Sequence, residues 1–566
     1  MKKFFLLSIL LPFGAFAQDL STEVVVDRTV AVELPEASPL AGVGPALSLP
    51  MRSDAALRIS DYTMSTDFEP SVARNSPFVY TGIPAATPYR GFAWLGYFPA
   101  YNLDAGVGYQ ILDSDADKLG VAASFEGASW HGFGSKDVKP SVSYNTFKLI
   151  ADYRHTFNNN ATVYAKADYA HDALRMPYFS PHYDADAPQA FNHGNFAAGI
   201  MRDGKINYAA QLYYRFFDVA DEVIVGAPDS PVPGTVAFDG ASDNYFGANG
   251  HIGAWISDKS AVKIGVDIAH QNTSGIRHDM FSPIRVNNSR WIIGLNPTFT
   301  FSIKNFDVRL GIHADYCSST SKALFLVAPD VGIVWNAAKW AEVYFDADGG
   351  ERFNSLSDLY NYSVFAPGFS VFDTMWNKVD AKAGIRLGSF RGFSAGVHAA
   401  YAATSDAPMP DILSFDSGRT AAAFVSRSVS GWRFGVDFSY RYSDILSASI
   451  GGEVFSHGFG KGYWLNIDNA RATLDAKLSV KASDRLSIAA KYKLRACRFA
   501  YYNIAGTYGE YSLGNISDLG LEAVYRMSDR LSFFADIDNM LCRRYQILPG
   551  ITSRRLHGLI GATYQF

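Results

Sequence analysis

From about Arg90 to the C-terminus the chain alternates apolar and polar residues, and the alternation recurs throughout. Over 260–270, Val262, Ile264, Val266 and Ile268 share one side, with Lys263, Gly265, Asp267 and Ala269 on the other. Over 471–481 the apolar set is Ala472, Leu474, Ala476, Leu478 and Val480. It faces away from Arg471, Thr473, Asp475, Lys477, Ser479 and Lys481. The stretches 306–315, 379–388, 432–443, 486–496 and 531–538 follow the same rule. A period of two places successive side chains on opposite faces of a strand, so each stretch predicts a strand with one apolar face.

The connections alternate as well. Short polar turns fall at Asp113–Asp117, Asn158–Asn160, Asp203–Lys205, Ser257–Lys259, Lys304-Asn305, Asn336–Lys339, Ser389–Arg391, Ser443-Asp444, Ser483-Asp484 and Ser528-Asp529. Longer loops are expected near 130–143, 175–190, 219–243, 274–288, 354–377, 405–430 and 501–515. Tight turns at one rim and long loops at the other describe an all-β, transmembrane, antiparallel up-and-down β-barrel with its turns and C-terminus in the periplasm. The short hairpins supply twenty strands, and 90–98 and 554–566 add one each. The total is about 22, within a range of roughly 20 to 24, and an even number suits single-chain bacterial barrels. The tightest outer turn is Phe98-Pro99-Ala100.

Aromatic residues sharpen the picture. Trp255, Trp335, Trp340 and Tyr442 lie beside short turns, where a girdle meets the membrane–water interface. The chain closes on Ile560-Gly561-Ala562-Thr563-Tyr564-Gln565-Phe566. Alternate apolar residues ending in phenylalanine, with Tyr564 and Phe566, look like the signal read by the barrel insertion machinery.

Composition agrees with a lipid-facing protein. Charged residues make up 19% of the 566 and aromatic residues 14%, against roughly 25% charged in a soluble domain. The net charge of −5 lacks the basic footprint of a nucleic-acid binder. Three cysteines give no disulfide framework. The N-terminus reads as a secretory signal peptide over 1–17: Lys2 and Lys3, an uncharged apolar run from Phe4 to Ala17, and Ala15-Phe16-Ala17 before the expected mature start at Gln18. The run is shorter than the roughly 20 residues a spanning helix needs.

The last fifty residues resemble the C-terminal barrel of TonB-dependent outer-membrane receptors. The stretch that carries the resemblance is Asn539-Met540-Leu541-Cys542-Arg543-Arg544-Tyr545, then Pro549-Gly550, Arg554-Arg555 and the terminal Phe566. It implies a 22-strand barrel in the outer membrane of a Gram-negative bacterium and descent from active transporters. Such receptors carry an N-terminal plug, and Gln18 to Tyr89 is too short for one. That stretch holds Pro35, Pro39, Pro45, Pro50, Pro70, Pro77, Pro84 and Pro88 and reads as an extended periplasmic or lumenal arm. The domain plan is therefore signal peptide 1–17, arm 18–89 and barrel 90–566. Within the arm, Thr22, Glu23, Val24, Val25 and Val26 resemble the segment that engages TonB by β-augmentation, and they read equally as an edge strand that pairs with the barrel or with an envelope partner through 18–50.

The face opposite the apolar one carries charge. Arg471, Asp475, Lys477 and Lys481 on one strand, with Lys491, Lys493 and Arg495 on the next, form a basic ladder. Glu342, Asp346 and Asp348, then Asp380, Lys382 and Arg386, mark a second wall. A charge at mid-membrane on the lipid side costs about 2–4 kcal/mol for Lys or Arg, so this face must look into the lumen. The ladder is either an anion-attracting pore wall or a network of ion pairs that supports the barrel or docks the arm. His182-Tyr183-Asp184-Ala185-Asp186 and His278-Asp279 are the weak cation candidates, and no metal, cofactor or catalytic residue is assigned. No nucleophile elbow, zinc-binding helix motif or phosphate loop is found, so an enzyme is not expected. The leading expectation is transport or ligand uptake through a lumen blocked by the arm, the loops or a partner. The alternative is a structural or assembly subunit of an outer-membrane complex.

Overall fold

The computed structural model describes residues 89–566 apart from 100, 115, 132–140, 176–187, 203, 226–235, 279–282, 319–322, 339, 359–373, 391, 417–418, 444, 459–461, 464–469, 505–506 and 549–550. The signal peptide, the arm up to residue 88 and with it Thr22–Val26 therefore lie outside the described residues, as do 182–186 and Asp279.

Twenty-two antiparallel strands close into a barrel. They run from Gly91–Phe98 to His557–Gln565, each paired with the next in sequence. The first and last strands zip the seam, with Phe92 opposite Gln565 and Tyr97 opposite Ile560. Closure leaves no unpaired edge in the membrane, which is the condition for a sheet to exist there. The tight outer turn after Phe98 holds: Phe98 pairs with Asn102, and Tyr101 takes a positive φ of 61° to make the reversal.

One face of the wall is apolar and exposed: Ile264, Val266 and Ile268 on one strand, Ile293 and Leu295 on the next, Leu310 and Ile312 after it. Burial of apolar side chains in a protein core is slight here, because this surface is built to meet lipid. The backbone ladders hold the fold together. Trp255, Trp335, Trp340 and Tyr442 are all exposed at the short-turn rim, and Trp335 stacks on Phe306 of the neighbouring strand at 5.8 Å. Tyr564 and Phe566 also face outward.

The short turns fall where the pattern places them, but three of the long loops need correction. Strands Ile206–Val225 and Val236–Ser257, Ser260–His278 and Pro283–Ile303, and Phe393–Asp416 and Arg419–Tyr442 extend from both sides into the ranges 219–243, 274–288 and 405–430. A membrane crossing takes roughly 9–11 residues, so these 19- to 24-residue strands continue well above the lipid. There both faces are wet and the apolar alternation vanishes, while ladder hydrogen bonds persist. The seam side is low by comparison: Gly91–Phe98 and Leu531–Asp538 have 8 residues each. The rim is thus lopsided, tall over 206–303 and 393–442.

Candidate functional site: the charged inner wall and the segments folded against it

Polar side chains opposite the lipid face reach partners two or more strands away, which is feasible only on the concave side of the wall. Three groupings stand out.

The first is the basic ladder. Asp475 pairs in register with Lys493, Lys477 with Lys491, and Thr473 with Arg495. Each cation of known geometry meets an acid. Lys491 Nζ lies 2.6 Å from Glu522, 3.4 Å from Asp536 and 4.0 Å from Asp538. Lys477 reaches the other oxygen of Glu522 at 3.2 Å, across the strand between them. Arg495 binds Asp475 at 2.9 Å, and Lys481 meets Asp484 of the periplasmic turn at 3.0 Å. Arg471 holds both carboxylate oxygens of Glu510 at 2.9 and 2.8 Å. Of the two readings of the ladder, the geometry favours ion pairs: Glu522, Asp536 and Asp538 on the following strands are the countercharges that reading only two strands missed.

The second grouping is the wall 309–380. Arg309 donates to Asp330 at 2.8 Å and to both oxygens of Asp346 at 2.9 and 3.2 Å. Asn296 Nδ2 donates to Asp330 at 3.0 Å. His313 Nε2 lies 2.9 Å from Asp348 Oδ1, and both residues are buried. Asp380 stands directly opposite Asp348 on the next strand. It is 4% exposed, and neither of its carboxylate oxygens has a hydrogen-bond partner. Further down, Arg386 meets Glu342 at 2.7 Å. Asp346, Asp348 and Asp380 were expected on this face; His313, Arg309 and Asp330 were not singled out. Their inward parity within 306–315 and 323–338 was the signal that could have found them.

The third is a segment expected in an outer loop that instead folds inward. The ladder after Asp348 slips at Gly350, whose φ of +129° only glycine adopts readily. The chain then turns to the inner face, and Phe353, Asn354, Ser355 and Leu356 are all buried. Phe353 packs edge-on against Tyr245 at 5.2 Å and joins Ala269, Ile292 and Cys317 in an apolar patch. The Leu356 amide donates to Asp243 Oδ2 at 2.8 Å, and Asn354 Nδ2 donates to the Asp406 carbonyl at 3.1 Å. Residues 353–358 thus strap the strand that ends at Arg352 to Val236–Ser257, across the strands between. A second outer segment behaves alike. The hairpin Phe499–Ile504 and Thr507–Ser512 adds a parallel pairing of Tyr501 and Tyr502 to Asp411 and Ile412, on the tall ladder.

The C-terminal motif has a structural task. Asn539 is fully buried; its amide nitrogen donates to the Arg543 and Arg554 carbonyls at 2.7 and 2.8 Å, and its side-chain oxygen accepts from the Arg543 amide at 3.0 Å. Arg554 in turn donates to Asn102 at 3.2 Å and lies over the Trp130 ring. Tyr545 donates to Asp518 at 3.2 Å. The motif therefore folds the last outer connection onto the seam, where the two ends of the barrel meet.

Solved structures share this architecture. A variant of the ferric enterobactin receptor from Pseudomonas aeruginosa superposes with a TM-score of 0.62 at 12% identity, covering 84% of this chain and 80% of that one. The ferripyoverdine receptor of the same organism's outer membrane gives 0.61 at 11%, covering 84% and 72%. The FrpB iron transporter from Neisseria meningitidis gives 0.63 at 13%, covering 85% and 82%. The fold is that of the TonB-dependent receptor barrels. At these identities the likeness speaks for the fold alone. No family model matches the sequence, and no curated protein matches it.

Proposed function

We propose that the chain is an outer-membrane receptor-type barrel that takes up a ligand, with a lumen kept narrow from the outer side by its own segments. The observation that carries this is the inward strap 353–358, laid by Phe353 and Asp243 along the inner face of the strands from Val236–Ser257 to Phe306–Ser318. An unobstructed barrel of this width would leak solutes, and large barrels are normally plugged. The hairpin 499–512 tied to the tall ladder supports the same reading. Residues 18–89, as an arm behind a cleaved signal peptide, would supply the remaining obstruction from the periplasmic side. The ion-paired ladder around Lys491 fits a supporting wall better than an anion filter.

Planar-bilayer recording of the purified mature chain tests the proposal. Small or absent steady conductance is expected, rising when 353–374 is replaced by a short Gly-Ser linker and again when 18–89 is removed. A large, permanently open conductance from the intact chain would sink it. Deleting 18–50 separates uptake from scaffolding. Lost uptake with no lost partner supports a receptor that engages TonB through Thr22–Val26, whereas a partner that co-purifies only with the intact chain supports an assembly subunit.

A further inference from the structure

We infer that the inner wall carries a site for one divalent first-row transition-metal ion, ligated by His313, Asp330 and Asp348 with Asp380 as the fourth ligand. One ligand atom each from His313, Asp330 and Asp348 lies within 4.8 Å of the others. Around a four-coordinate metal with bonds of about 2.0–2.2 Å, ligand atoms sit roughly 3.3 Å apart. The three atoms would draw together by up to about 1.5 Å for one ion to take all of them.

Asp380 is the independent observation. Cross-strand partners in an antiparallel pair share a face, and Asp380 is the partner of Asp348. It is 4% exposed with both oxygens unpaired. A buried carboxylate without a partner is costly, and such groups are paired or bind metal. Arg433 and Lys382 act on it only through space, and Asp346 and Asp348 oppose them. The other three side chains already have partners that fix their positions, Thr298 on Asp330 at 3.3 Å among them. Arg309 and Asn296 orient Asp330, and the Gly349 amide donates to Asp348 at 2.7 Å. Asn296 Nδ2, 3.4 Å from His313 Nε2, sits beside the imidazole.

Donor chemistry narrows the ion. An imidazole with carboxylates suits Mn²⁺, Fe²⁺, Co²⁺ or Zn²⁺, whereas Mg²⁺ and Ca²⁺ prefer oxygen alone. The site lies just before the Gly350 kink, so an occupied site would also fix the root of the strap. None of this depends on what the barrel passes.

The full mature chain, purified in detergent and stripped with chelator, is titrated with Co²⁺ and then competed with Zn²⁺. One equivalent of visible Co²⁺ absorption is expected, bleached by Zn²⁺, together with a higher unfolding temperature. H313N and D348N should each weaken Co²⁺ binding at least about tenfold. H155N, which breaks a similar His–Asp pair near a periplasmic turn, should leave it unchanged. D380N keeps the test open if D348N fails to fold. Without metal it should unfold at a higher temperature than the parent, because it removes an unpaired buried charge, and its metal-induced shift should vanish. No saturable Co²⁺ binding, or binding that survives H313N and D380N unchanged, overturns the assignment and leaves His313–Asp348 an ion pair only.

Discussion

Two stretches of the inner wall are built alike and charged differently. Both place ionisable residues at alternate positions on adjacent strands. Around 471–538 each of the central carboxylates meets a cation: Lys477 and Lys491 share Glu522, and Lys491 also reaches Asp536 and Asp538. Around 309–380 not all of them do. Arg309 serves Asp330 and Asp346 together, Asp348 has a histidine, and Asp380 has no hydrogen-bond partner. A wall whose charges close on one another is a support, while one left with surplus carboxylate has affinity to spare. Neither conclusion follows from the number of charged residues; it follows from which strand carries the countercharge.

Removing the hub of the balanced wall should cost most. K491M strands Glu522, Asp536 and Asp538 in one place. Breaking a fully buried pair costs about 3–5 kcal/mol. Lys491 is about a third exposed, so solvent screening reduces this to about 2–3 kcal/mol. Urea unfolding in detergent, followed by tryptophan fluorescence, measures it; a loss below about 1 kcal/mol would mean the lumen is wet enough to make the network irrelevant. Next comes R309M, which frees Asp330 and Asp346 while leaving the wall more acidic. A loss of about 2 kcal/mol is expected without metal, and added Zn²⁺ should restore part of it. Equal losses with and without Zn²⁺ would erase the contrast between the walls. D380N should act in the opposite direction, gaining about 1 kcal/mol in the metal-free protein, since an unsatisfied buried polar group costs about 1–3 kcal/mol. A destabilised D380N would show that Arg433 and Lys382 suffice as its partners and that the two walls are equally balanced.

Much of the fold was legible because the membrane imposes it. Lipid on one side and water on the other force period two, and short turns have little freedom, so the strand count and the hairpin at Phe98 to Asn102 could be read directly. Above the lipid that constraint lapses. The strand Arg419–Tyr442 continues where its apolar alternation has stopped, so its outer half was taken for a loop. The inner wall was half legible. Parity put Lys491 and Asp380 on the correct face, but partnership depends on register across several strands, and Glu522 lies two strands beyond Lys477. The strap was hidden for a different reason. Phe353 and Leu356 look like residues of any outer loop, and only the kink at Gly350 turns them inward.

The smallest expected effect bears on the outer end of the balanced wall. Arg471 grips Glu510 with two hydrogen bonds, and its guanidinium lies over the Phe499 ring at 5.3 Å. Both ends of the pair stand open to water, and exposed pairs of this kind contribute about 0.2–1 kcal/mol. The hairpin that carries Glu510 is also held by backbone pairing to Asp411 and Ile412. E510Q should therefore lower stability by about 0.5 kcal/mol or less, with no change in the rate at which protease cuts the 499–512 hairpin. If cleavage instead accelerates several-fold, the ion pair and not the strand pairing fastens that hairpin. The balanced wall would then be more than a support: through Arg471 it would govern access to the lumen, and the division between a supporting wall and a reactive one would have to be redrawn at its outer rim.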